Sequence, residues 1–175
     1  MRQATQPVSG PSDSEPNDGE DRFGLTATAF HEAGHAVVAR RLGADLECAS
    51  VVREGMTDGY ARYTMAAETY DGVVAAVAGM VAQRMWWKRM YASLGIIPPS
   101  QASLDEDAVH DYESVAWVRD RAQEVFPDGG KEVWDRWYGL VVARAKRSAA
   151  QHVWRHWGEI HALAMRLIDE RTVRF

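Results

Sequence analysis

The chain has 175 residues, 46% of them hydrophobic and 26% charged, with a formal net charge of −5. These values fit a globular chain with a core of its own and argue against nucleic acid or an anionic membrane surface as the main partner. One cysteine, Cys48, excludes an internal disulfide and a cysteine-rich metal site, and fits a reducing cytoplasm.

Residues 1–22 are rich in Gln, Pro, Ser, Asp and Glu and nearly devoid of large apolar residues. They are expected to be a disordered tail, which leaves 23–175 as one domain. No apolar h-region opens the chain. The longest apolar run, Gly72 to Ala82, is about half of what a membrane span needs, so no span is expected.

The run from Thr26 to Leu42 is strongly helical, with Thr26 placed to cap it and Gly43 placed to end it. Inside it, His31-Glu32-Ala33-Gly34-His35 reads HExxH. Residues four apart share a helix face, so His31 and His35 can aim both imidazoles at one metal ion. Glu32 sits at the edge of that face, within reach of a water on the metal. This is the zinc metalloprotease signature, in which two neutral imidazoles hold Zn²⁺ and a carboxylate takes a proton from the attacking water. His31 and His35 share their stripe with Val38 and Leu42, which argues against a surface helix with two solvated histidines. Gly34 costs about 1 kcal/mol against Ala in a helix interior. It is either a close backbone approach beside the metal or a tolerated glycine.

Leu46 to Arg53 and Tyr60 to Met65 are β-rich, and Glu54 to Gly59 between them is turn chemistry, which predicts a hairpin or part of a small sheet. Thr69 to Leu94 reads as one long helix ending at Gly95, with Trp86 and Trp87 as packing aromatics. A loop with Pro98-Pro99 follows. Ser103-Leu104-Asp105-Glu106 has capping-box spacing and opens a helix to about Phe126, broken by Pro127-Asp128-Gly129-Gly130. Lys131 to about Asp169 is helical, as one helix or as two with a bend near Ser148, and carries the stripe Val153, Trp157, Ile160, Ala164 and Leu167. His152 and His156, four apart, read as a solvated pair. His161, near Trp154 and Ile168, reads as a satisfied core histidine. The fold expected is mainly α, with a small β element beside the zinc helix.

A catalytic zinc site usually has three protein ligands plus water. The candidates for the third are Asp105, Asp107, His110 and Asp111. Helical spacing places Leu104, Ala108, Asp111, Val115, Val118, Ala122 and Val125 on one stripe, with Asp111 its one carboxylate. A carboxylate on a buried face must be paired or metal-bound. Asp111 is therefore favoured, with Asp107 as the alternative, and a salt bridge to Arg119 as its structural explanation. Asp105 and Asp107 suit the positive end of the helix.

The stretch Thr28 to Ala39 closely resembles the zinc helix of the peptidase domain in FtsH-type ATP-dependent zinc metalloproteases. Val77-Ala78-Gly79-Met80-Val81-Ala82-Gln83 resembles that family's Gly-Gly-x-x-Ala-Glu stretch, with Ala78 for the first Gly and Gln83 for the Glu. Asp111-Tyr112-x-x-Val115 resembles its Asn-Asp-Leu-x-x-Ala-Thr motif, and Leu163 to Val173 its C-terminal helix. The likeness runs from about Thr26 to Val173 and is most specific at the zinc helix. No Gly-x-x-x-x-Gly-Lys-[Ser/Thr] phosphate loop occurs, so the likeness is to the peptidase domain standing alone.

The resemblance implies a zinc metalloendopeptidase, with His31, His35 and Asp111 on Zn²⁺, Glu32 as general base, and peptides or unfolded proteins as substrates. It also implies a strand lying along the cleft, whose edge could take an extended substrate. It leaves open a homo-oligomer and a separate ATPase partner. Two rival readings stand beside it: a non-catalytic zinc-binding or regulatory module derived from the peptidase fold, and a zinc hydrolase acting on another carbonyl substrate.

Overall fold

The HExxH motif lies on α1 (Asp18–Arg41). A computed structural model describes residues 18–52, 59–66, 68–96 and 115–175. The first part of the expected tail, the turn residues Glu54 to Asp58, the loop at Pro98-Pro99 and the capping box at Ser103 fall outside the described residues. So do Asp105, Asp107, His110 and Asp111.

Every residue from Glu32 to Ala39 is buried. A helix buried on all sides needs small side chains wherever a neighbour crosses closely, and Ala29, Ala33, Ala36 and Ala39 supply them. α1 begins at Asp18, eight residues before Thr26, so the last residues assigned to the tail are helical. Thr26 is not its cap; the Thr26 hydroxyl donates to Arg22 O at 2.8 Å inside the helix. The early turns have partners that composition does not reveal. The Phe23 ring packs on Trp86 and Trp87, and Leu25 lies against the core. Gly43, at φ 91°, ends the helix region as expected.

The expected helix from Thr69 to Leu94 is split. Thr69 caps α2 (Tyr70–Ala76), accepting Gly72 N–H at 3.1 Å. Val77, at φ −98° and ψ 0°, interrupts the helix before α3 (Ala78–Leu94), which ends on left-handed Gly95. α3 makes the largest contact with α1, and Gly34 lies in that seam. A Cβ at Gly34 would lie 2.6 Å from Ala82 Cβ and 2.8 Å from Ala78 O. The glycine is a close approach, made to α3.

β1 (Asp45–Ser50) pairs antiparallel with β2 (Tyr60–Thr64), as the hairpin reading requires. The sequence pattern carries no sign of a third strand. β3 (Thr172–Arg174) pairs with the other edge of β1, giving the order β2-β1-β3. The chain leaves the preceding helix through Arg171, at φ 66°, and buries Val173 completely. Buried Ser50 is satisfied by Thr172 Oγ1 at 2.8 Å and by Val52 N–H at 3.1 Å.

α4 (Trp117–Val125) is the described part of the helix expected from Ser103 to Phe126. α5 (Gly130–Arg155) and α6 (Trp157–Glu170) cover the expected C-terminal helical run. The break falls at His156, eight residues beyond Ser148. Glu159 accepts from His156 Nδ1 at 3.0 Å and also from Arg41 at the end of α1, so this corner is fastened to α1. Arg41, and then His156, hold the Glu159 carboxyl below the usual range. The pair is half exposed and worth at most about 1 kcal/mol. Val153, Ile160, Ala164 and Leu167 form the expected buried stripe.

The core centres on Phe30. Its ring is stacked between Trp86 of α3 and Trp157 of α6, with centroids 5.4 Å away on both sides. The architecture is mainly helical with a small three-stranded antiparallel sheet. Among the described residues no helix is long and apolar enough to cross a membrane. Phe30→Ala is expected to cost about 3–5 kcal/mol in denaturant unfolding. Trp154→Ala, at a site 71% exposed, is expected to change stability by less than about 0.5 kcal/mol. Similar losses in both variants would remove the stacked aromatic centre as the main support of α1.

Candidate metal centre

His31 and His35 stand one turn apart on α1, their rings edge to face with centroids 4.7 Å apart. His35 is buried, 9% exposed, and His31 is half-buried. The two Nε2 atoms face each other at 3.0 Å. Each ring is steered from its far side. His35 Nδ1 donates to Ala75 O at 2.9 Å, and His31 Nδ1 meets Gln83 Oε1 at 2.9 Å. An Nδ1–H bonded to oxygen leaves the lone pair on Nε2, which is the tautomer a metal requires.

The split between α2 and α3 lies beside this arrangement. Ala75, whose carbonyl receives His35, is two residues before the interruption at Val77. Gln83 lies on α3 four residues after Gly79, so one helix supplies both the floor and the prop of the site. A Cβ at Gly79 would sit 2.3 Å from His35 Nε2 and 2.7 Å from His31 Cδ2. The rings occupy the space that any other side chain would fill.

Glu32 is 6% exposed. Its Cγ would lie 3.0 Å from a Cβ at Gly59, which would also strike Thr28 Cγ2 at 2.7 Å and Ser50 O at 2.9 Å. The entrance to β2 thus lies close against the Glu32 side-chain stem, with no room for a side chain at Gly59.

This donor set fits zinc. Two imidazole nitrogens on a tetrahedral ion, with bonds of about 2.0–2.1 Å, are separated by about 3.3 Å. The observed 3.0 Å is within a small ring rotation of that value. Each imidazole has the outer oxygen partner that metal-bound histidines usually have.

Of the expected site residues, the structure brings His31 and His35 together, and Glu32, between them in the chain, is buried. Asp111 and its alternative Asp107 lie outside the described residues, and among the described residues no three His, Cys, Asp or Glu side chains form a metal-holding group. Val115, Val118 and Ala122 are buried as the stripe requires, whereas Val125 is 51% exposed. α4 begins only at Trp117, so the helical phase that joined Asp111 to Val118 is supported no further back than Val115. Arg119, considered above as a partner for Asp111, bridges to Asp135 of α5 at 2.8 Å.

The other histidines depart from expectation. His152 and His156 are half-buried where a solvated pair was expected. Burial, and then the charge of His156, push the His152 pKa down. His161 is exposed, lying edge-on to Phe30 at 5.7 Å between centroids, because the stacked tryptophans fill the core around that ring.

Four contributors are not apparent from the motif: Ala75 O, Gln83, Gly79 and Gly59. Gly79 and Gln83 left a trace in the sequence, in the Val77–Gln83 stretch, and Gly59 only as a turn residue. No model of a known protein family matches the chain, and no curated protein matches it.

Gly79→Ala separates helix propensity from site geometry. Alanine favours the helix by about 1 kcal/mol, yet its methyl meets rings already tethered at both Nδ1 atoms. The variant is expected to keep its helical circular dichroism and to lose most bound zinc on dialysis. Zinc retained as in the wild type would show that the rings yield without cost.

Proposed function

We propose that the chain is a zinc-dependent metallopeptidase that hydrolyses peptide bonds. The observation that carries this reading is the convergence of His31 Nε2 and His35 Nε2 at 3.0 Å, with both Nδ1 atoms facing oxygen, beside buried Glu32. A merely structural zinc would have no use for Glu32. His31 and His35 would hold the ion, with Asp111 as third ligand and Asp107 as its alternative. When bound, zinc supplies a Lewis acid that makes water acidic near neutral pH and polarises a carbonyl.

The chain's own residues do the rest. Glu32 takes the proton of the attacking water at its carboxylate, and the same carboxyl then delivers a proton to the departing amine. The close approach of Gly59 to the Glu32 stem would limit the freedom of that side chain. Ala75 O and Gln83 hold the imidazoles in register. With no phosphate-binding loop in the sequence, the substrates are short peptides and unfolded chains, and a separate ATPase partner or a homo-oligomer would extend that range. Buried, free Cys48 fits a reducing cytoplasm.

Elemental analysis should find close to one zinc per chain, lost in His31→Ala and in His35→Ala. Asp111→Asn should weaken zinc binding and Asp107→Asn should leave it nearly unchanged. The reverse order would make Asp107 the ligand, and full zinc in both histidine variants would remove the site.

Glu32→Gln should keep zinc and lose activity on casein and on a peptide library by about 100- to 10,000-fold. Equal cleavage by both proteins would mean that Glu32 is not the base. A zinc-loaded wild type that cuts neither substrate would favour the non-catalytic zinc module. Cleavage of other carbonyl compounds but not peptides would favour the wider hydrolase reading.

A further inference from the structure

The net charge of −5 conceals a segregated stretch. Between positions 136 and 158 stand five Arg or Lys and no Asp or Glu. This is α5 from Arg136 onward, with its junction to α6. Successive residues of an α-helix turn by about 100°, so Arg136, Leu140, Arg144, Arg147, Trp154 and Arg155 fall within an arc of about 100°. All are exposed, Leu140 at 63% and Trp154 at 71%. Val142, Ala145, Ala149 and Val153 take the opposite side and are buried. α5 thus turns small aliphatic residues to the core and a basic stripe, about 28 Å long, to solvent. Cations in a last turn suit the negative helix end, which accounts for Arg155 but not for Arg136, Arg144 or Arg147. Charges on other exposed helix surfaces have local partners: Arg121 with Glu124, Lys131 with Asp135, and Arg166 with Glu170. Among the described residues no ion pair engages Arg136, Arg147 or Arg155, and Arg144 lies over the Tyr70 ring at 5.5 Å.

We propose that this face of α5 docks on the surface of an anionic phospholipid bilayer, independently of the metal reading. A phosphate backbone alone would meet the arginines and leave Leu140 in water. A bilayer offers anionic headgroups to the guanidinium groups and an acyl boundary to Leu140, with the Trp154 indole at headgroup level. The helix lies along the headgroup plane and does not span. Four arginines on one face reach the number of basic residues, about four to eight, that marks lipid-binding segments. Two exposed apolar side chains are too few to hold the molecule by themselves, so docking is reversible and screened by salt. The rest of the chain holds all 25 Asp and Glu and is repelled by the same surface, so charge alone orients the molecule.

The test is sedimentation of the full chain with vesicles of phosphatidylcholine alone and of phosphatidylcholine mixed equally with phosphatidylserine. The chain should sediment with the mixed vesicles only, and less so as salt is added. Arg136→Gln combined with Arg147→Gln should lower partitioning about 25-fold, at about fivefold for each charge lost near the surface. Arg121→Gln combined with Arg166→Gln changes the net charge equally, at exposed sites off the stripe, and should lower partitioning by less than about twofold. Bromine-labelled acyl chains should quench the part of the emission that Trp154→Phe removes. Equal sedimentation with both vesicle types, equal loss in both double variants, or an unquenched Trp154 would overturn the proposal. Binding to duplex DNA or polyglutamate in place of vesicles would also overturn it and give the face to another polyanion. A dimer in place of vesicle binding, dissolved by Arg136→Gln with Arg147→Gln, would overturn it in favour of a second copy. None of these measurements needs metal or peptidase activity.

Discussion

The close seat of α1 on α3 is the constraint on which the site depends. Gly34 lets the two backbones approach until Ala78 O and Ala82 Cβ leave no space for a methyl. At that separation Gly79 lies under both imidazoles, and Gln83 reaches His31 Nδ1. The interruption at Val77 adds the other half, since Ala75 O at the end of α2 meets His35. A wider spacing would keep both helices and lose every one of these contacts. Packing, rather than the motif alone, turns two histidines on a helix into a convergent pair.

Other elements hold α1 against that seat. Phe30, next to His31 in the chain, is gripped by Trp86 on one side and Trp157 on the other, so the residue before the first candidate ligand cannot shift without unstacking two indoles. Such rings contribute area burial and about 0.5–1.5 kcal/mol per pair beyond it. From the opposite side, Gly59 and the start of β2 press on Glu32. The helix is thus held by aromatic rings on one flank and by a strand on the other, with the HExxH residues between them.

Much of this was legible in the sequence because it rests on local rules. The spacing of His31 and His35, the stops at Gly43 and Gly95, the Thr69 start, the antiparallel strands and the Val153–Leu167 stripe follow from periodicity and capping, which act over a few residues. What escaped depends on distant partners. Phe23 finds two tryptophans and so lengthens α1 beyond Thr26. Val77 breaks a run of good helical periodicity beside the carbonyl that serves His35, and His156 breaks another where Glu159 and Arg41 meet. Gln83 looked like the loss of a carboxylate, and in the fold its oxygen meets His31 Nδ1. Ala75 acts through its carbonyl, and no residue letter records that.

The third strand sets an order on assembly. β1 pairs with β2 within the same hairpin, but its other edge waits for β3, whose Thr172 lies 122 residues beyond Ser50. Closing so long a loop is slow compared with forming helices and hairpins. During synthesis, α1 and the first hairpin emerge long before the strand that completes the sheet. The three-stranded sheet is therefore among the last parts of the fold to be completed. A nascent chain would pair its two histidines on α1 early and complete the sheet that flanks that helix late.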